Sequence, residues 1–246
     1  MTPASSAGGR APRFVFERVV KTFGADAPLR VASLVFQPGH RVVLAGCDAA
    51  LAEMFTHLLT GASLPDEGVV SVDGRSTRDI ATDTEWLASL DRFGLVSNRA
   101  VLLDQSTVAQ NLALPLTLSI DPVPEPILAQ VRALAADVEL SPAVFDAPVG
   151  ALTAEQRMRV HLARAVALRP QVLLLEHPTS SIAAHGAAFG ALVKRVADAR
   201  GLDWFALSND DAFARASGGR VLTLRPDGQV RPSGAWWSRW FQPRRS

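Results

Sequence analysis

The chain has 246 residues, 48% hydrophobic and 20% charged, with a formal net charge of +1. That balance fits one large globular domain, or a core with an inserted subdomain, and gives no global basic field for nucleic acid. A single cysteine, Cys47, excludes an internal disulfide and fits a reducing compartment, and no apolar run approaches the ~18 to 20 residues of a membrane span.

Residues 1–12 are small and polar with no apolar h-region, so they read as a disordered tail and not as a signal peptide. FVFERVV at 14–20 and VASLVF at 31–36 are β-branched and aromatic, which predicts an antiparallel pair. RVVLAG at 41–46 predicts a strand ending in a glycine turn. Leu51, Met54, Phe55, Leu58 and Leu59 then recur at helical spacing. PDEGVVSVDG at 65–74 predicts turn, strand and turn; EWLASL at 85–90 a short helix; and FGLVS at 93–97 a strand. Three prolines in DPVPEPI at 121–127 break the pattern.

Helices are predicted up to about Glu139 and from Ala154 to Leu168, where Arg169-Pro170 stops the second. VLLLE at 172–176 is too apolar to alternate and predicts a strand buried on both faces. A helix over 191–200, a strand over 203–208 and a hairpin around Asp227-Gly228 complete the chain. Strands alternating with helices predict a mostly parallel α/β sheet.

Three segments, in order, resemble the ATP-binding cassette (ABC) family of P-loop NTPases. PDEGVVSVDG resembles the family's strand after its first helix. STVAQNLALPL resembles the segment that follows the Q-loop. LTAEQRMRVHLARAVALRPQVLLLEHPTSSI resembles the signature helix running into Walker B and the D-loop. Gln156, Arg157, Arg159, Ala163, Arg164, Ala165, Pro170, Pro178 and Thr179 stand in register with that pattern. The resemblance covers about residues 13 to 232. It implies a RecA-like, mostly parallel core with an antiparallel β portion and an inserted helical subdomain at about 100–160. Residues 233–246 form a Trp/Arg-rich C-terminal segment.

The same alignment implies that the chemistry is missing. A P-loop cradles phosphates on backbone N–H groups, bridges them with a lysine and holds Mg²⁺ through a hydroxyl. The motif falls on Gly46, Cys47, Asp48, Ala49, Ala50, Leu51, Ala52 and Glu53, where only the first glycine survives. Leu51 is bulky, Ala52 replaces the lysine and Glu53 replaces the hydroxyl. The chain's lysines, Lys21 and Lys194, are far from this turn. Asp48 is placed to act as the helix N-cap, supplying the chain's own anion.

Phe23 aligns with the A-loop aromatic that stacks on adenine, or else is a core aromatic at a strand end. Asn98 aligns with the Q-loop glutamine. In the signature Thr153 and Gln156 remain, while Ala154 and Glu155 replace glycines. Glu155 is expected to aim its carboxylate at a partner's γ-phosphate. Glu176 stands for the Walker B aspartate, His177 for the general base, Ala183 for the D-loop aspartate and Asn209 for the switch histidine.

The blander readings stand beside these. His177 could act as a base near neutral pH but lacks a phosphate to act on. Glu53 and Glu176 could hold a divalent cation, or be solvated or mutually avoiding. The five histidines lack zinc-ligand spacing, and Cys47 reads as a buried, inert thiol. WWSRWFQPRR at 236–245 is either a docking segment or a helix packed on its own domain.

The expectation is therefore a degenerate, non-hydrolysing cassette subunit, cytoplasmic and peripheral to the inner membrane, docked on an ABC permease and dimeric with itself or another cassette. No metal is expected, no catalytic residue, no nucleic acid, and ATP/Mg only weakly if at all. A closed self-dimer is expected to be unfavourable because Glu155 would approach the partner's Asp48 and Glu53. The alternatives are an ATP-hydrolysing subunit with atypical motifs, or a soluble regulatory or scaffold protein on the same fold.

Overall fold

The structure is a computed structural model describing residues 11–24 and 27–233. The 236–245 segment and most of the N-terminal tail lie outside the described residues.

The elements in chain order begin with strands β1 (Phe14–Lys21), β2 (Leu29–Phe36) and β3 (Arg41–Ala45), and helix α1 (Ala49–Thr60). Strands β4 (Glu67–Val72) and β5 (Arg75–Ser76), helix α2 (Asp83–Leu90) and strand β6 (Phe93–Ser97) follow. Then come helices α3 (Val108–Ala113), α4 (Glu125–Asp137) and α5 (Ala154–Val166), strand β7 (Val172–Glu176) and helix α6 (Gly186–Arg200). Strand β8 (Asp203–Leu207), helix α7 (Asp211–Ser217) and strands β9 (Arg220–Leu224) and β10 (Val230–Pro232) complete the chain.

Two sheets organise these elements. One is antiparallel, in the order β2-β1-β4-β5; the other runs β10-β9-β3-β8-β7-β6, parallel except for β10. The predicted pairing of 14–20 with 31–36 is present, with Phe14 opposite Phe36 and Val19 opposite Val31.

The central strands are buried on both faces, and the strand period of two decides which core each residue joins. On β7, Val172 and Leu174 join an aromatic core under the antiparallel sheet, while Leu173 and Leu175 join the helical side. On β8, Phe205 and Leu207 point one way and Trp204 and Ala206 the other. The first core is built from stacked rings, Phe14 on Phe36 at 4.6 Å, Phe16 on Phe55 at 4.3 Å and Phe55 on Phe205 at 5.3 Å between centroids. Helix α1 is wedged between the sheets, with Phe55, Leu58 and Leu59 buried in that core. On the other side α3, α4 and α5 pack on one another and on the sheet through Val108, Leu112, Val131, Met158 and Leu162.

Some elements differ from the sequence expectation. Helix α6 begins at Gly186, five residues before its predicted start. The run GAAFG hides it, because glycine is a poor helix former. Gly190 is there for contact: a Cβ at that position would lie 2.6 Å from the Phe213 carbonyl oxygen of α7. Helix α7 was not predicted; its seven residues are too few for a periodic signal, and Asp210 organises it by accepting from the Ala212 and Phe213 N–H groups. Helix α5 ends at Val166, two residues before the predicted stop.

Candidate functional site

The candidate site lies where the C-terminal ends of β3, β6, β7 and β8 meet the start of α1. β3 leads into Gly46, whose φ is +90°. A Cβ here would sit 2.3 Å from the Leu224 carbonyl oxygen, so the surviving glycine is required by packing against β9. Asn209, after β8, clamps the turn. Its Oδ1 accepts from the Gly46 N–H at 2.8 Å and its Nδ2 donates to the Cys47 carbonyl at 2.9 Å.

Asp48 is the N-cap of α1, in extended conformation, and accepts from the Leu51 N–H at 2.8 Å. Two backbone donors of this turn, the Gly46 and Leu51 N–H groups, are thus held by side chains of the chain itself. Asp48→Ala should lower stability by about 0.5–2 kcal/mol, read from urea unfolding. An unchanged midpoint would show that the cap does not matter.

The residue that organises the site was not singled out from the sequence. Arg99 donates from Nε and Nη2 to the two carboxylate oxygens of Glu176, at 2.6 and 2.8 Å, and from Nη1 to Glu53 at 2.6 Å. The fork of a guanidinium suits this two-point grip on one carboxylate. Hydrogen bonding to Glu176, then the charges of Glu176 and Glu53, raise the pKa of Arg99 above its ordinary value against the opposing effect of burial. Glu176 is 5% exposed, so its charge is sheltered, whereas Arg99 and Glu53 are about two-fifths exposed.

Neither reading of the two acids included this arrangement: a guanidinium bridges them, Glu176 sheltered and Glu53 still partly solvated. The signal was available in the parallel pairing, since Ser97 of β6 lies opposite Glu176 of β7 and Arg99 follows two residues later.

The other candidate residues are each engaged elsewhere. Asn98 turns to the segment after β7: its Nδ2 donates to Ser180 Oγ at 2.8 Å, and Ser181 Oγ donates to its Oδ1 at 3.2 Å. Ala52 is fully buried, and Leu51 packs against the aromatic core. Phe23 packs half-buried against the same core, as a strand-end core aromatic would. Ala49 is the first residue of α1.

His177 has φ +40°, a strained conformation for a residue with a Cβ, and its buried Nε2 has no hydrogen-bond partner. Thr153 and Gln156 form a reciprocal capping box, Gln156 N–H to Thr153 Oγ1 at 3.2 Å and Thr153 N–H to Gln156 Oε1 at 2.9 Å, with Ala154 opening α5.

Glu155 departs from its expected outward aim. It accepts from Arg159 Nη2 at 2.9 Å, and its other oxygen lies 3.7 Å from His185 Nε2. Residues four apart share a helix face, so the carboxylate finds its counter-charge within α5. The repulsion expected in a closed self-dimer is correspondingly reduced, because Glu155 and Glu53 each already have an arginine.

Cys47 is buried, and burial followed by the charge of Asp48 pushes its thiol up to about 12, so it is inert at neutral pH. His161, on the inner side of α5, is pushed down to about 4 from 6.5, first by burial and then by Arg164 and Arg157. A histidine with a depressed folded-state pKa stays neutral in the fold while the unfolded chain takes up a proton. Its contribution is complete above pH 6.5 and is lost as pH falls toward 4. Wild type should therefore lose about 2 kcal/mol more stability than His161→Gln between pH 7 and roughly pH 4.5. Parallel losses in the two proteins would refute this.

Two carboxylates, Glu53 and Glu176, share the Arg99 guanidinium, while Asp48 is held by the Leu51 N–H. Asn209 and Asp48 hold the turn's Gly46 and Leu51 N–H groups. Among the described residues no cluster of three His, Cys, Asp or Glu could hold a metal ion.

The ABC transporter family model matches residues 29–180. A sulfate/thiosulfate import ATP-binding protein, CysA, of Gloeobacter violaceus is 32% identical over 182 residues, which is 74% of this chain and 48% of that protein. A methionine import ATP-binding protein, MetN, of Brucella abortus is 29% identical over 243 residues, 98% of this chain and 63% of that protein. The chain thus spans about half to just under two thirds of the length of these relatives. Among solved structures, cbiO1 of Clostridium perfringens, part of an ABC transporter complex, superposes with TM-score 0.74 at 16% identity, covering 89% of this chain and 87% of that one. The dimeric bacterial ABC transporter cassette MJ0796 superposes with TM-score 0.73 at 21% identity, covering 91% of this chain and all of that one.

Proposed function

The chain belongs to the ABC transporter family, and on that premise we propose that it is a non-hydrolysing cassette subunit which docks on a membrane permease and holds its nucleotide region in one state without nucleotide. The observation that carries this reading is the bridge from Glu53 through Arg99 to Glu176. It ties the start of α1 to the ends of β6 and β7, three places that a magnesium nucleotide would otherwise connect. Asn209 fastens the Gly46 turn to the end of β8 in the same way.

Docking on a permease is supported by the likeness of STVAQNLALPL to the family's permease-facing stretch, and by Val101 and Leu103 just before it, 75% and 41% exposed. No helix among the described residues is long and apolar enough to cross a membrane, so membrane contact in this reading runs through the partner. The partner cassette is a second copy or an intact cassette, and the arginines on Glu155 and Glu53 lower the electrostatic barrier to either pairing.

The test is steady-state turnover of Mg-ATP by the purified chain. Turnover at background is expected, with His177→Ala no different from wild type. Turnover comparable to an intact cassette, abolished by His177→Ala, would overturn the proposal.

A further inference from the structure

At the other end of the parallel sheet, where β7 and β8 begin, a cavity of about 340 Å³ is lined by Arg13, Arg169, Gln171, Arg200 and Leu202. Three guanidinium groups therefore share one small concavity, a strand's length from Glu176. Two of them have acidic partners. Arg13 Nε donates to Asp203 at 3.0 Å, and Arg200 Nη2 donates to Asp137 at 2.5 Å. Asp203 spends its second oxygen on the Gly39 N–H at 2.7 Å, and Asp73, 3.9 Å from Arg13, is held by Arg92 at 2.6 Å.

Arg169 has no acidic partner among the described residues. Beyond those residues the sequence holds only one acidic side chain, Asp26. Arg200 also donates from Nη1 to the Val166 carbonyl at 3.3 Å, and its buried Nε finds no acceptor.

Arg169 stands where arginine is not the easy choice. Its φ is +54°, in the turn that ends α5 before Pro170, a conformation that glycine adopts without strain and other residues at a cost of about 1 kcal/mol. The strained backbone fixes where this exposed side chain leaves the chain, at the rim of the cavity.

We propose that this cavity binds a small phosphate-bearing anion, gripped by Arg13, Arg169 and Arg200 at the sheet end opposite the degenerate nucleotide position. Guanidinium groups match phosphate oxygens two at a time, and the volume lies in the range of small-ligand pockets. The site uses none of the residues of the Arg99 bridge, so it stands or falls separately from the function proposed above.

The experiment is calorimetric titration of the full chain with inorganic pyrophosphate at fixed ionic strength. Saturable binding is expected. Arg169→Ala should weaken it at least about tenfold, the value of one lost charge-assisted contact, without moving the thermal midpoint. Glu53→Gln, at the nucleotide position, should leave it within about twofold. Vesicles containing phosphatidic acid provide the second arm. Binding to vesicles without a response to soluble pyrophosphate would replace the small-molecule ligand with a lipid headgroup and overturn the proposal. No saturable heat up to about 10 mM would also overturn it, as would binding indifferent to Arg169→Ala or equally sensitive to Glu53→Gln.

Discussion

Mg-ATP is expected to bind this chain on the order of a thousandfold more weakly than it binds an intact cassette, with a dissociation constant in the millimolar range or above. The lysine and hydroxyl contacts are absent at Ala52 and Glu53, and charge-assisted contacts contribute ~1.5–3 kcal/mol each, so with the added carboxylates ~4–6 kcal/mol is lost. At ~1.4 kcal/mol per decade that gives the thousandfold figure. The structure adds two further costs. The Gly46 N–H must leave Asn209, and the Arg99 guanidinium must leave Glu176 to let a metal approach. Calorimetry with Mg-ATP is the check, and a dissociation constant in the low micromolar range would show that another part of the site, Phe23 included, supplies what the phosphate contacts no longer do.

Arg99→Ala is expected to destabilise the fold by about 3 kcal/mol, read from urea unfolding at neutral pH. Breaking a buried ion pair by removing one partner costs ~3–5 kcal/mol because the remaining charge has lost its compensation. Here the sheltered partner is Glu176, left beside Glu53 with His57, 3.8 Å from Glu53, as the nearby cationic candidate among the described residues. Partial exposure of Arg99 and Glu53 lets water screen some of the loss, so the lower part of that range is expected. Arg99→Leu combined with Glu176→Leu should recover much of the stability, since it removes both charges together. A loss below about 1 kcal/mol in the single variant would mean that the bridge is a surface pair of little consequence.

Much of the fold was legible in the chain. The β-branched pair at the start and the strand–turn–helix around Gly46 follow from composition and periodicity, the buried VLLLE and DWFALS strands from their unbroken apolar runs, and Asp48 from the need of a helix start for an acceptor. These are local signals, because the physics acts over a few residues. The family was legible too, through residues held in register from Gln156 to Thr179. Elements with weak local signals were missed: α7 is short, and the start of α6 is masked by glycines placed for contact with α7.

The sequence by itself determined which residues stand at the turn after β3, Gly46 kept and Leu51, Ala52 and Glu53 where the family resemblance implies a glycine, a lysine and a hydroxyl, since each is a residue identity at a fixed place in a motif. Only the tertiary structure decided which side chains meet them. Arg99 lies 46 residues from Glu53 and 77 from Glu176, and Asn209 lies 163 from Gly46. The same is true of the three arginines at the far end of the sheet, which come from positions 13, 169 and 200. Such pairings depend on strand order and on which ends of parallel strands come together, and no short stretch of sequence carries that information. An arginine one residue after a motif position looks like an ordinary surface charge until the sheet sets it beside a buried carboxylate, where burial and the loss of solvent screening make it the strongest partner available.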